Sequence, residues 1–233
     1  MFINFINITK MIRLVVLDVD GTLTDRERRI STDAIINIRR AVNSGVLISF
    51  VSGNALPVMF GLKTFIGTNA PVFGENGGIV LINDTIKTFF SKEKCDKFLD
   101  EISKTTSARP MFTNIWRQTS SAFTMDEKDY EFISKEAEKR DLYIVNSKFT
   151  WHVMNKGQDK AYAVNFLKEY YNYDYKEILV MGDSDNDLSM FDLPVKKAAP
   201  ANASENIKEK SEYVSEFAYG AQVGDVFKYF GII

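Results

Sequence analysis

The sequence predicts an α/β protein: a parallel-sheet core interrupted by an inserted α+β domain. Three observations predict it. Short runs that are apolar at nearly every residue stop at polar clusters: 12–17 before Asp18, 46–51 before Ser52, and 178–181 before Gly182 and Asp183. Such runs read as strands buried on both faces. Helix-period segments lie between runs at strand–helix–strand spacing, which implies parallel pairing with right-handed crossovers. Between about residues 83 and 155 the pattern changes to short segments of alternating polarity, as antiparallel strands with one wet face show.

Along the chain, Ser31-Thr32-Asp33 offers N-cap chemistry to a helix carrying Ala34, Ile35, Ile38, Ala41 and Val42, closed by Gly45. A further helix over 56–66 leads to Pro71-Val72-Phe73 and the turn Gly74-Glu75-Asn76-Gly77-Gly78. In the insertion, helices are predicted over 94–105 and 127–140. Strands are predicted over 111–116, 121–124, 142–145 and 150–154. After Gly157, a helix over 159–170, the strand 178–181, a short helix from Asn186 and alternating strand and helix signals to Tyr229 restore the first pattern. The domain reading is therefore a core of residues 11–83 and 156–233, a cap of residues 84–155, and an N-terminal extension, residues 1–10, ahead of Met11.

A chain of 233 residues suits one domain with a large insertion, or two domains. The formal charge of −2 leaves no basic excess to hold nucleic acid. The opening apolar stretch is broken by Asn4 and Asn7, lacks a basic leader and is too short to span a bilayer, so no membrane partner is expected. Cys95 is the single cysteine, which rules out an intramolecular disulfide or a Cys-based metal cluster and fits the cytoplasm. A small anionic partner is compatible with the weak formal charge, because a few local cations and a metal can outweigh it, and the chain is expected as a monomer or homodimer.

The three polar clusters converge. In an open parallel sheet, ligands bind beyond the carboxyl ends of the strands. Asp18 and Asp20 lie two apart in an extended segment, and unpaired they would repel each other. A divalent cation resolves that conflict, and oxygen-only ligands favour Mg²⁺. Asp183 and Asp187, four apart across a strand-to-helix turn, supply further oxygens. Ser52 offers a hydroxyl, and the N–H groups of Gly53 and Asn54 stand at a turn suited to an anion. Lys160, at a helix opening, reads either as the missing positive charge or as a solvated surface lysine. Spacing assigns Asp18 as the nucleophile that forms an aspartyl-phosphate. It assigns Asp20 as the acid that protonates the leaving oxygen and then deprotonates water.

These motifs resemble the haloacid dehalogenase superfamily of phosphohydrolases. Asp18-Val19-Asp20-Gly21-Thr22-Leu23-Thr24 matches the first motif of that family and Val51-Ser52-Gly53 the second. Lys160 matches the third, and Gly182-Asp183-Ser184-Asp185-Asn186-Asp187 the fourth. The resemblance implies a Rossmannoid (haloacid dehalogenase-like) core with a mobile cap, a small phosphorylated metabolite as partner, and Mg²⁺ held by Asp18, the backbone carbonyl of Asp20, Asp183 and Asp187. The long insertion resembles the Cof-type cap. Val51-Ser52-Gly53-Asn54, Val72-Phe73-Gly74-Glu75-Asn76-Gly77-Gly78 and Gly157-Gln158-Asp159-Lys160-Ala161 are most similar to archaeal-type phosphoglycolate phosphatases. Many Cof-type members carry Arg where this chain has Asn54, a departure that leans away from a generic sugar phosphatase. The implied reaction is hydrolysis of 2-phosphoglycolate to glycolate. A sugar phosphate or phosphoglycerate derivative as substrate, a phosphomutase and a non-catalytic receiver-like domain are the alternatives.

In the cap, Arg117 reads either as a bidentate clamp for a substrate carboxylate or as a surface arginine paired with an acid. His152, the only histidine, reads either as a group titrating near neutrality or as a structural residue near the hinge. The turn Glu75-Asn76-Gly77-Gly78 reads as hinge and pocket lining, and Phe89, Phe90, Phe98 and Trp151 as cap core.

Overall fold

The computed structural model describes residues 12–147 and 150–233; the expected extension, residues 1–10, lies outside the described residues. The chain opens with β1 (Leu14–Leu17), α1 (Thr32–Asn43), β2 (Leu47–Phe50), α2 (Leu56–Leu62), β3 (Val72–Gly74), β4 (Ile79–Ile82) and β5 (Thr85–Thr88). The cap carries α3 (Glu93–Ile102), β6 (Arg109–Pro110), β7 (Ser121–Thr124), α4 (Tyr130–Glu138), β8 (Leu142–Asn146) and β9 (Trp151–Asn155). The return leg is α5 (Lys160–Tyr171), β10 (Ile178–Met181), α6 (Leu188–Phe191), β11 (Lys196–Ala199), α7 (Glu205–Lys210), β12 (Tyr213–Val214) and α8 (Gln222–Tyr229).

The core sheet runs β12-β11-β10-β1-β2, parallel throughout. Strand β1, between β10 and β2, is buried at every residue, and successive side chains enter opposite cores. Val15 and Leu17 join Ile38, Ala41 and Phe227 on the side of α1 and α8. Leu14 and Val16 join Val164, Leu167 and Phe191 on the side of α5 and α6. Ser31 caps α1 as its composition predicts, its hydroxyl accepting from the Ala34 N–H at 3.3 Å. Among the described residues, no helix is long and apolar enough to cross a membrane.

Beside β2, a bridge from Val51 to Phe73 leads into an antiparallel ribbon, β3-β4-β5. The β4–β5 turn uses Asn83 and Asp84, both at positive φ (46° and 59°), the conformation that two-residue hairpins favour. The sequence reading contained neither β4 nor β5, and the core-to-cap division expected after residue 83 falls within their turn.

The cap is a four-stranded antiparallel sheet, β6-β7-β9-β8. Phe98, Leu99 and Ile102 from α3 and Ile133 and Ala137 from α4 pack on Phe123 and Val153 to form its core. Two expectations are corrected here. Residues 111–116 are not a strand: β6 ends at Pro110, and Phe112–Trp116 form a 3₁₀ turn. The side chain of Asn114 takes the strand's place, donating to the Ala122 carbonyl (2.9 Å) and accepting from the Ala122 N–H (2.6 Å). Phe89 and Phe90 belong to the core side, packing on Tyr162 and, for Phe89, on Phe166 of α5, whereas Phe98 and Trp151 do lie in the cap.

Candidate active site

Three strand ends and one helix start build the site. Asp18 continues β1 by one residue, its N–H donating to the Met181 carbonyl at 2.9 Å. The chain then turns through Gly21, whose φ of 88° suits glycine. A Cβ at Gly21 would overlap the Asp183 carboxylate, and one at Gly182 would overlap Asp187, so both turns demand glycine by close approach. Thr22 donates its hydroxyl to Asp183 at 3.2 Å. Asp187 folds back over the end of β10, one oxygen accepting from the N–H groups of Asp183 and Ser184, both at 3.0 Å. Its other oxygen faces Lys160.

Lys160 is the first residue of α5, whose N-cap Asp159 accepts from the Tyr162 N–H. That placement drives a fully buried ammonium between two carboxylates, 2.6 Å from Asp18 Oδ1 and 2.5 Å from Asp187 Oδ1. Burial works against the lysine's charge, but Asp18 and Asp187 more than offset it and hold its pKa above the ordinary range. For Asp18, burial pushes the pKa well above the usual carboxylate range; Lys160 opposes this, while Asp187 and Asp183 add to it.

Asp18, Asp183 and Asp187 each present an oxygen within 4.8 Å of the other two, all buried. One lysine against three carboxylates leaves excess negative charge in a place with little water to screen it. Hard oxygen donors with uncompensated charge fit Mg²⁺. The Asp20 carboxylate stands apart from that triad. It accepts from Arg28 Nε (2.9 Å) and Asn54 Nδ2 (2.5 Å), so any part of Asp20 in metal binding falls to its backbone. Ser52 Oγ accepts from the N–H (3.1 Å) and the amide Nδ2 (2.9 Å) of Asn54, which fixes the turn after β2.

The cap closes over these groups. A cavity of about 110 Å³ is lined from below by Asp18, Ser52 and Lys160 and from above by Thr113, Arg117 and His152. Arg117 follows the 3₁₀ turn and is buried, donating to Ser120 Oγ at 3.1 Å. The His152 Nε2 lies 2.8 Å from Thr150 Oγ1 and 3.1 Å from Ser147 Oγ. Burial, with the charge of Arg117 adding, holds its pKa well below the ordinary histidine value. Neither residue is on the surface, and among the described residues Arg117 makes no ion pair.

Comparison with known proteins decides the family. The profile of the haloacid dehalogenase-like hydrolases matches residues 15–142 and 109–225. A phosphoglycolate phosphatase of Thermoplasma volcanium is 54% identical over 224 residues, covering 96% of this chain and 100% of the relative. A crystal structure of a Thermoplasma acidophilum protein superposes with a TM-score of 0.94 at 54% identity, covering 96% and 100% of the two chains. A haloacid dehalogenase-like hydrolase from Bacteroides thetaiotaomicron shares the fold, with a TM-score of 0.80 at 18% identity over 94% and 98% of the chains.

The chain belongs to the haloacid dehalogenase-like hydrolases.

It is a phosphatase. Every core residue singled out from this hydrolase's sequence (Asp18, Asp20, Ser52, Gly53, Asn54, Lys160, Asp183 and Asp187) lies at the carboxyl end of the sheet or at the start of α5. Three residues make contacts at the site that the sequence does not predict. Arg28, at a φ of 62° in an exposed loop, reaches both Asp20 and Asn54; only the tertiary fold gives that away. Asn186 donates to Asn76 Oδ1 at 3.0 Å, joining the fourth motif to the turn after β3. Glu75, read as part of a hinge, is a fully buried carboxylate at a φ of 51°. It accepts from the N–H groups of Gln118 (2.8 Å), Thr119 (3.0 Å) and Ser120 (2.9 Å), and from the hydroxyls of Thr119 and Ser120. The cap loop that carries Arg117 is thereby hung on the core.

Proposed function

We propose that this hydrolase cleaves phosphomonoesters with Mg²⁺ through an aspartyl-phosphate on Asp18, and that its substrate is 2-phosphoglycolate. The observation that carries the chemistry is the buried bridge from Lys160 to Asp18 and Asp187 inside a triad of carboxylates. Asp18, Asp183 and Asp187, with the backbone carbonyl of Asp20, would hold Mg²⁺, which when bound neutralises charge on the phosphoryl oxygens.

Lys160 draws charge from the transferring group, and Ser52 with the N–H groups of Gly53 and Asn54 holds its oxygens. An Asp18 oxygen attacks phosphorus in line as the bond to the ester oxygen breaks. Asp20, entering in its acid form, gives its proton to that oxygen and frees the alcohol. Asp20 then takes a proton from the attacking water, phosphate departs, and the Asp18 carboxylate is restored. Arg28 and Asn54 hold Asp20 in place for both transfers.

The substrate reading rests on relatives at 54–55% identity named phosphoglycolate phosphatase, matched over their whole length. A small cavity with a cationic cap wall supports it. The same reading makes the protein cytoplasmic and divides it into a core of residues 11–83 and 156–233 and a cap of 84–155. A panel of phosphate esters scored by kcat/KM tests the substrate. Preference for 2-phosphoglycolate is expected, and preference for hexose phosphates overturns it.

A further inference from the structure

On the cap side of the cavity, two nitrogens are buried without a hydrogen-bond partner: Nε of Arg117 and Nδ1 of His152. Both residues line the same cavity as Asp18. Among the described residues the Arg117 guanidinium has one hydrogen bond and no ion pair, which is costly, because burying an unpaired charge forfeits hydration without replacing it. Glu75 is the nearby acid, but its two oxygens already accept five hydrogen bonds from residues 118–120. Its charge favours the Arg117 cation without pairing with it.

His152 is fixed from the other side. Its Nε2 lies 2.8 Å from the Thr150 hydroxyl, which can donate to it, while the Ser147 hydroxyl gives its hydrogen to the Thr150 carbonyl; with Nε2 accepting, the Nδ1–H is a spare donor. A cation and a neutral donor, both short of an acceptor and facing the nucleophile across about 110 Å³, match a carboxylate. The cavity's size limits the distance between that carboxylate and the phosphoryl group to a short carbon chain.

We propose that Arg117 and His152 form the subsite that takes the carboxylate of the leaving group, and that they select short acidic phosphate esters over neutral-headed ones. This deepens the reading of the substrate given above and rests on it. The two residues determine specificity; Asp18 and Asp20 perform the chemistry.

The test compares kcat/KM for 2-phosphoglycolate and for 2-hydroxyethyl phosphate, the same skeleton without the carboxylate, with Mg²⁺ present. The wild type prefers the acid. Arg117→Gln lowers kcat/KM for 2-phosphoglycolate about a hundredfold, mostly through KM, and leaves 2-hydroxyethyl phosphate nearly unchanged. His152→Gln lowers it about tenfold. Arg117→Lys, which keeps the charge and most of the bulk but lacks Nε, serves if the Gln variant does not fold, and it too loses the preference. A measurement on the wild type alone completes the test: glycolate inhibits competitively, and ethylene glycol does not.

Equal losses on both esters, or equal inhibition by glycolate and ethylene glycol, overturn the subsite. A wild type that favours hexose phosphates, yet still loses its preference for acid over neutral head when Arg117 is changed, overturns 2-phosphoglycolate and leaves the subsite standing.

Discussion

Asp18 and Asp20 lie two residues apart but have different neighbours, and their roles separate accordingly. Asp18 is buried against Lys160 and two further carboxylates, whereas Asp20 is held at the cavity's edge by Arg28 and Asn54. Asp20→Asn should therefore lower turnover of 2-phosphoglycolate by about 10²–10⁴, the usual worth of a general acid, with Mg²⁺ affinity by calorimetry largely kept. Unchanged turnover would refute the assignment. Lys160→Ala removes the buried cation that bridges two of the triad's carboxylates. The metal-free variant should lose about 3–5 kcal/mol of stability in urea melts, and saturating Mg²⁺ should restore part of it. Equal losses with and without Mg²⁺ contradict a shared electrostatic role. These residues were legible in the sequence because each follows an apolar strand or opens a capped helix, and such patterns fix direction as well as place. Arg28 was not: it reaches Asp20 from a loop whose path depends on a residue at positive φ.

At the scale of elements, the joint between cap and core is a hydrogen-bonded turn rather than an apolar seam. Glu75 and Asn76 both adopt positive φ, and Gly77 follows at 91°. Gln158 adds a second tie, donating to the Glu75 carbonyl at 2.8 Å and to Thr119 Oγ1 at 3.0 Å. Glu75→Ala strips partners from three N–H groups at once, two of them fully buried. It should cost about 3 kcal/mol in chemical denaturation and weaken 2-phosphoglycolate binding, since Arg117 rides on the same loop. A loss under about 1 kcal/mol would show that water or the loop's own flexibility satisfies those groups. The sequence placed the hinge from its glycines, but the carboxylate's task depends on residues more than forty positions away. The strand expected over 111–116 failed for a related reason. Its apolar residues suggested burial, yet Phe112, Ile115 and Trp116 are exposed because the Asn114 side chain occupies the edge of β7.

Over the whole molecule, the core was read correctly because both faces of its sheet are covered, so buried strands stand out as unbroken apolar runs. The β4–β5 hairpin is less legible: β5 is exposed along its length and carries no apolar pattern, and the four-residue apolar run of β4 follows the turn at 74–78 with no α-helix between it and β3 to mark a strand–helix–strand unit. Global stability should report on the cap wall. His152 is held neutral in the fold, its pKa well below the value of about 6.5 it takes in the unfolded chain. The unfolded state therefore binds the proton more readily, and stability falls as pH drops through that unfolded value. His152 alone contributes at most about 1.4 kcal/mol per pH unit there. His152→Gln should flatten the fall in Tm between pH 7 and pH 5, and an unchanged slope would mean the ring is protonated in the fold.

If phosphorus passes through Asp18, rapid quench captures it there. Enzyme mixed with ³²P-labelled 2-phosphoglycolate and Mg²⁺, stopped in acid within one turnover, should carry label on the peptide containing Asp18. Asp20→Asn should retain that label longer, because the water that removes it lacks its base. Product phosphate formed at full rate with no label on protein, or with label on another residue, would contradict the account.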